Sequence, residues 1–179
     1  MKIVILAILL SAINSVHSAP YLQYGTNNLS GFTGFKKDDD IAISLDIKND
    51  EFKQSLYTAL NDYLQNKQIS VSHNSSLQLS IVCERDNINE PYTFTEVIPV
   101  ASSTPSAPIY HTKTIDGMRT VDALKCIGNL RRKQLLWEFI VRIPQKFIPN
   151  LTEKEVSYIS TLFEYEGTGY INLETGEVY

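Results

Sequence analysis

Ile41-Ala42-Ile43-Ser44-Leu45-Asp46-Ile47 alternates apolar and polar residues, and Asn49-Asp50-Glu51 follows almost at once. A period of two puts Ile41, Ile43, Leu45 and Ile47 on one face, which predicts a half-buried strand. Asn49 has the side chain of a helix cap, and Asp50 and Glu51 suit the positive end of a helix. Phe52, Leu56, Ala59, Leu60, Tyr63 and Leu64 then recur at helical spacing as one apolar stripe. Lys67 stands at the far end, where positive charge suits the helix dipole. Beyond it Ile69 and Val71 alternate with Ser70 and Ser72. Leu77, Leu79, Ile81 and Cys83 share a face against Gln78, Ser80 and Glu84. The order strand, helix, strand, strand predicts a crossover helix packed on a sheet, with a hairpin turn at Asn74-Ser75-Ser76.

Further along, Leu135, Trp137, Phe139, Val141 and Ile143 form the strongest alternation of the chain, which places Trp137 in the core. Pro144 and Pro149 close the strand region. Thr152-Glu153-Lys154-Glu155 fits a capping box, Val156, Ile159, Leu162 and Phe163 make a second helical stripe, and Gly167 suits its C-terminal cap. A hairpin around Glu174-Thr175-Gly176 is expected last. Between the two helices the signals are weaker. Residues 84–91 are polar and end in Pro91, Tyr92 to Val100 is β-rich, and Ala101 to Pro108 reads as a surface loop. Ile109 to Ile115 is a weaker strand. Asp116-Gly117 and Gly128-Asn129 read as turns, with Thr120 to Ile127 between them. Residues 19–40 read as an irregular lead-in, pinned by Tyr21, Tyr24, Phe32 and Phe35. Its run Lys36-Lys37-Asp38-Asp39-Asp40 lacks the spacing of a calcium loop and reads as a solvated segment. The fold expected over residues 41–179 is a single α+β domain: a mostly antiparallel sheet with two helices packed on one face.

Ahead of all this, Met1-Lys2 is a short basic start, and Ile3 to Leu10 is an unbroken apolar run. Val16 and Ser18 sit at the −3 and −1 positions of a cleavage site. Residues 1–18 therefore read as a signal peptide, cut before Ala19, and the run is too short to span a bilayer as a mature helix. The protein is expected to be secreted or periplasmic. Cys83 and Cys126 are the two cysteines of the chain. In an exported chain an even count suggests one disulfide, although two buried thiols are the alternative. Three sequons occur, at Asn28, Asn74 and Asn150, and a eukaryotic secretory pathway could glycosylate them.

The chain has 179 residues, with 16 Lys+Arg against 20 Asp+Glu. No excess of positive charge exists to neutralise phosphates, which argues against a general nucleic-acid binder. The usual catalytic signatures are missing: no G-x-S-x-G elbow, no H-E-x-x-H, no phosphate loop and no dinucleotide fingerprint. Nothing in the sequence pairs His73 or His111 with a particular serine or acid, as nucleophilic catalysis would need. Glu138, Glu164, Glu166, Glu174 and Glu177 are carboxylates without a distinguishing context, and Glu96 is one acid on an apolar strand face. No catalytic, cofactor-binding or metal-ligating residue is assigned, and no cofactor is expected.

The succession Phe52–Leu64, Ile69–Val71 and Leu77–Ile81, followed later by Gln134-Leu135-Leu136-Trp137-Glu138 and a second helix, resembles small Gram-negative envelope lipoproteins. Lipopolysaccharide-assembly lipoprotein E and the auxiliary lipoproteins of envelope lipid transporters are the proteins it is similar to. The likeness is architectural and covers residues 41–166. It implies an accessory, non-enzymatic role in the envelope and carries no catalytic residues. The chain departs from that family in lacking the lipid-attachment cysteine, so the resemblance implies a protein free in the periplasm or secreted. The expected function is thus an exported binding or accessory protein whose partner is an envelope or extracellular protein or lipid component. A small secreted hydrolase, a hydrolase inhibitor or a host-interaction factor are the alternatives. The aromatics between Tyr21 and Phe35 and the loop 101–108 are the expected contact regions. Deleting residues 19–35 should then weaken capture of a partner without unfolding the body.

Overall fold

The structure is a computed structural model that describes residues 20–37, 39–100 and 109–179. The predicted leader 1–18 and the loop 101–108 lie outside the described residues. Seven strands and two α-helices follow one another as β1 (Tyr21–Asn28), β2 (Asp40–Asp46), α1 (Asp50–Asn66), β3 (Ser70–Val71), β4 (Leu77–Val100), β5 (Ile109–Arg132), β6 (Gln134–Pro144), α2 (Glu153–Ser160) and β7 (Gly167–Asn172). The chain divides into two compact units. The larger comprises Ala19–Ile88 and Thr120–Tyr179, and the smaller includes Asn89–Arg119.

The strands form one sheet in the order β3-β2-β4-β5-β6-β1-β7. The α+β class holds, but the sheet is mixed rather than mostly antiparallel. β2 runs parallel to both of its neighbours, β3 and β4, because α1 carries the chain across the sheet between them and so returns it in the same direction. The remaining described pairings, β5 with β6, β6 with β1 and β1 with β7, are antiparallel. The expected hairpin at Asn74-Ser75-Ser76 is accordingly absent. β3 and β4 flank β2 on opposite sides, and the segment between them crosses the end of β2, with the Ser75 hydroxyl donating to the Asp40 carbonyl at 2.5 Å.

Both helices begin as their sequences predict. The Asn49 side chain accepts from the Phe52 amide at 2.8 Å, and Thr152 and Glu155 close a reciprocal capping box. The α1 stripe is buried at Phe52, Leu56, Ala59, Leu60 and Leu64. It joins one core cluster with Val156 and Ile159 of α2, Leu79 and Ile81 of β4, Leu130 of β5, and Trp137, Phe139 and Val141 of β6. Each such side chain contributes about 1.5–3 kcal/mol on leaving water. Gly167 does not cap α2. The helix passes into a 3-10 turn at Thr161–Glu164, and Gly167 opens β7 at φ 100°, a backbone conformation that favours glycine. The closing turn at residues 173–176 is present, with Asn172 N–H donating to Glu177 O at 2.9 Å.

The irregular lead-in expected over 19–40 is corrected for residues 21–28. They form β1, inserted between β6 and β7. Leu22 and Tyr24 are its buried residues; Gly25, Thr26 and Asn27 dilute the apolar alternation, and pairing on both sides satisfies the backbone instead. Deleting residues 19–35 would therefore remove an interior strand, not a detachable tail. The expected turns at Asp116-Gly117 and Gly128-Asn129 are also absent: β5 runs through them, and β4 runs through the polar residues 84–91. Ion pairs take the place of apolar alternation there. Within the larger unit, Lys125 meets Glu84 at 3.1 Å and Arg142 meets Asp86 at 2.8 Å, with Lys125 opposite Arg142 in the register. In the smaller unit, Arg119 pairs with the buried Glu90 and stands 5.8 Å from the Tyr92 ring. The reversal between β5 and β6 is made at Lys133, whose φ is 65°.

Candidate functional site

The predicted cysteine pair is joined: Cys83 of β4 and Cys126 of β5 form a disulfide between neighbouring strands, with Cα atoms 4.1 Å apart. His73 is exposed in the turn after β3, while His111 lies in β5. The side chains of His111 and Glu96 lie outside the described residues. Glu138 faces away from the core on β6, and Glu174 and Glu177 belong to the closing turn. Among the described residues no cluster of three or more His, Cys, Asp or Glu could hold a metal ion. No described helix is long and apolar enough to cross a membrane.

Chemistry converges elsewhere in the larger unit, on a cleft of about 620 Å³. Three elements make its walls. The segment after β1 supplies Phe32 and Phe35, the end of α1 supplies Tyr63 and Lys67, and the turn after α2 supplies Phe163, Glu164 and Glu166. Trp137 of β6 also lines it and is only 2% exposed. The rings hold one another edge to face: Phe32 to Phe35 at 5.2 Å and Phe35 to Phe163 at 5.1 Å, while Phe32 tilts onto Trp137 at 5.9 Å. Phe32 is fixed by Asn28, whose amide accepts from the Phe32 N–H at 2.7 Å and donates to its carbonyl at 2.9 Å. The Asn28 amide also donates to Glu166 Oε1 at 2.9 Å.

At the rim, Lys67 Nζ bonds Glu164 Oε1 at 2.8 Å and stands 5.5 Å from the Tyr63 ring centre, and the Tyr63 hydroxyl donates to the same oxygen at 3.1 Å. The hydrogen bond from Lys67 holds the Glu164 carboxyl below the usual range, with a smaller push from Tyr63. Burial, then the Glu164 charge, drive the Tyr63 phenol far above its ordinary value, so it stays a donor throughout the neutral range. The indole N–H of Trp137 has no hydrogen-bond partner among the described residues. Leaving such a buried donor unsatisfied costs about 1–3 kcal/mol.

Of the aromatics expected to make contacts, Phe32 and Phe35 line this cleft. Tyr24 is buried in the core, and Tyr21 packs against Phe147 and Tyr170. Sequence reasoning placed Trp137 in the core and left Tyr63 and Phe163 as members of helical stripes. It missed that their outer edges meet in one cavity, because α1, the α2 turn and the post-β1 segment are joined only by the tertiary fold.

No family model matches the chain, and no curated protein matches it. Among solved structures it is similar to a PDZ domain protein from Parabacteroides distasonis, at 11% identity and a TM-score of 0.48, over 86% of this chain and 39% of that one. The chain thus spans well under half the length of that protein. It is also similar to PelC from Paraburkholderia phytofirmans, which forms a dodecamer, at 9% identity and a TM-score of 0.38, over 77% of this chain and 90% of that one. At these scores the likenesses carry no argument about this chain.

Proposed function

We propose that this is an exported, non-enzymatic binding protein that holds its ligand in the aromatic cleft. One observation carries the reading: Phe32, Phe35, Tyr63, Phe163 and Trp137 line a cavity of ligand size together with Lys67, Glu164 and Glu166. A cavity of about 300–1,000 Å³ with an apolar lining and a few polar groups is the usual form of a small-molecule site. Export is supported by the disulfide, a bond that persists in oxidising compartments, and by the leader-like residues 1–18. The architectural resemblance to envelope lipoproteins adds an accessory role, with the partner an envelope or extracellular component.

Trp137 is the chain's one tryptophan, so its emission reports the cleft directly. A small-molecule library read by intrinsic fluorescence and by unfolding temperature tests the reading. Saturable changes in both, abolished by Phe35→Asp, are expected. A library that stabilises the protein without altering Trp137 emission would place the binding site elsewhere.

A further inference from the structure

We propose that the open edge of the sheet, between β2 and the flank of α1, takes an extended polypeptide segment of a partner protein as an added strand. That segment carries apolar side chains at alternate positions and no net charge. The surface is separate from the aromatic cleft, and the inference goes beyond the binding reading above.

Strand lengths leave the edge open. β2 spans Asp40–Asp46, but its outer neighbour β3 is only Ser70–Val71 and pairs with Asp40 and Ile41 alone. The Ser72 N–H donates to the Ile41 carbonyl at 2.8 Å, so the backbone groups of Ile41 face the β3 side. Strand geometry repeats every two residues, and those of Ile43 and Leu45 therefore face the same way. Among the described residues nothing pairs with them there, since β4 lies on the opposite side of β2. Residues 42–46 carry neither lysine nor proline, and their register with β4 has no bulge. Their one charge, Asp46, stands at the far end. The usual guards of a sheet edge are thus mostly missing.

The helix supplies a second wall. Ile43 and Leu45 are half-buried and line a cavity of about 540 Å³ with Lys53 and Tyr57 of α1. Tyr57, which is 37% exposed, also lines a cavity of about 620 Å³ with Val71 of β3. Amides and carbonyls repeating at about 7 Å match the backbone of an extended chain. The protein's own β3 meets the same edge in that way one step earlier. Alternate side chains of an added strand would enter the hollow between Leu45 and Tyr57. Asp50 and Lys53 in its lining offset each other, so the partner needs no charge. The open stretch is about 17 Å long. That suits a short segment, whereas a stable dimer buries about 1,200–2,000 Å².

Acetylated, amidated peptides of the form Gln-Thr-X-Thr-X-Thr-Gln, with X valine, leucine or phenylalanine, are titrated into the full chain by calorimetry. Saturable binding of at least one is expected. Tyr57→Ala should weaken it about fivefold to tenfold with an unchanged urea midpoint. N-methylation of alternate peptide amides tests the backbone. One set should weaken binding about tenfold and the other should not, because only every second amide of an added strand faces β2. An effect confined to the X amides indicates antiparallel addition, and one confined to the Thr amides indicates parallel addition. Equal effects of the two sets, or binding untouched by Tyr57→Ala, would overturn the proposal. Binding abolished by Phe35→Asp would move the peptide to the aromatic cleft and overturn the edge assignment. Silence of all three peptides, or a dimer in sedimentation that the peptides dissociate, would overturn it as well.

Discussion

Gly128 of β5 lies directly opposite Phe139 of β6, and the Phe139 ring occupies the space where a side chain on residue 128 would stand. A Cβ there would overlap the ring edge, and Phe139 is fully buried. Gly128→Ala is expected to cost about 1–3 kcal/mol, read as a lowered urea midpoint. An unchanged midpoint would mean that the ring moves freely. The double variant with Phe139→Leu should recover part of the loss.

The Cys83–Cys126 bond closes a loop with a sequence separation of 43. The chain-entropy model assigns such a closure about 3–4 kcal/mol. Unfolding free energies measured with and without reductant, or for the Cys83→Ala/Cys126→Ala pair, should differ by about that amount. Coincident urea curves would show that β4 and β5 are held together without it.

The three sequons differ in their freedom. Asn74 and Asn150 are exposed, while the Asn28 amide is committed to the Phe32 carbonyl and to Glu166. Expressed through a eukaryotic secretory pathway, the chain should gain at most two N-glycans, lost in the Asn74→Gln/Asn150→Gln variant. A glycan on Asn28 would contradict the clamp on Phe32.

Acid should weaken the fold at two defined ion pairs. Arg142 lowers the Asp86 pKa by its hydrogen bond, and Lys67 does the same for Glu164. A carboxyl lowered in the folded state adds stability that is complete above its unfolded value of about 4 and is lost as pH falls through the folded value. Both pairs are partly exposed, so each should contribute below about 1 kcal/mol. Arg142→Ala and Lys67→Ala should lower the urea midpoint at pH 6 and leave it nearly unchanged at pH 2. An equal loss at both values would assign the effect to packing.

The helices, their caps and β6 are legible from local signals, because Asn49, Thr152 and the Trp137–Ile143 alternation act through near neighbours. Three features were hidden. Gly128-Asn129 carries turn chemistry, yet Gly128 is needed in mid-strand to admit a ring from the next strand. The polar run 84–91 shows no apolar alternation, yet it belongs to β4, where Glu84 and Asp86 meet cations brought from β5 and β6. Gln23, Gly25 and Asn27 mask β1, which buries Leu22 and Tyr24 and pairs with two strands distant in sequence. The cleft was half legible: Phe32 and Phe35 stand out as aromatics in a polar stretch, while their meeting with Tyr63, Phe163 and Trp137 depends on the tertiary fold.

Tyr21 pairs with Asn172, about 150 residues later, and such remote pairings slow the search for the native state. The first strand thus has no neighbours until β6 and β7 have been made. A nascent chain would leave the ribosome with its sheet unfinished, its opening residues still slack. If the chain is exported as proposed, such lateness would be an advantage: the last stitch would be drawn only beyond the translocation pore.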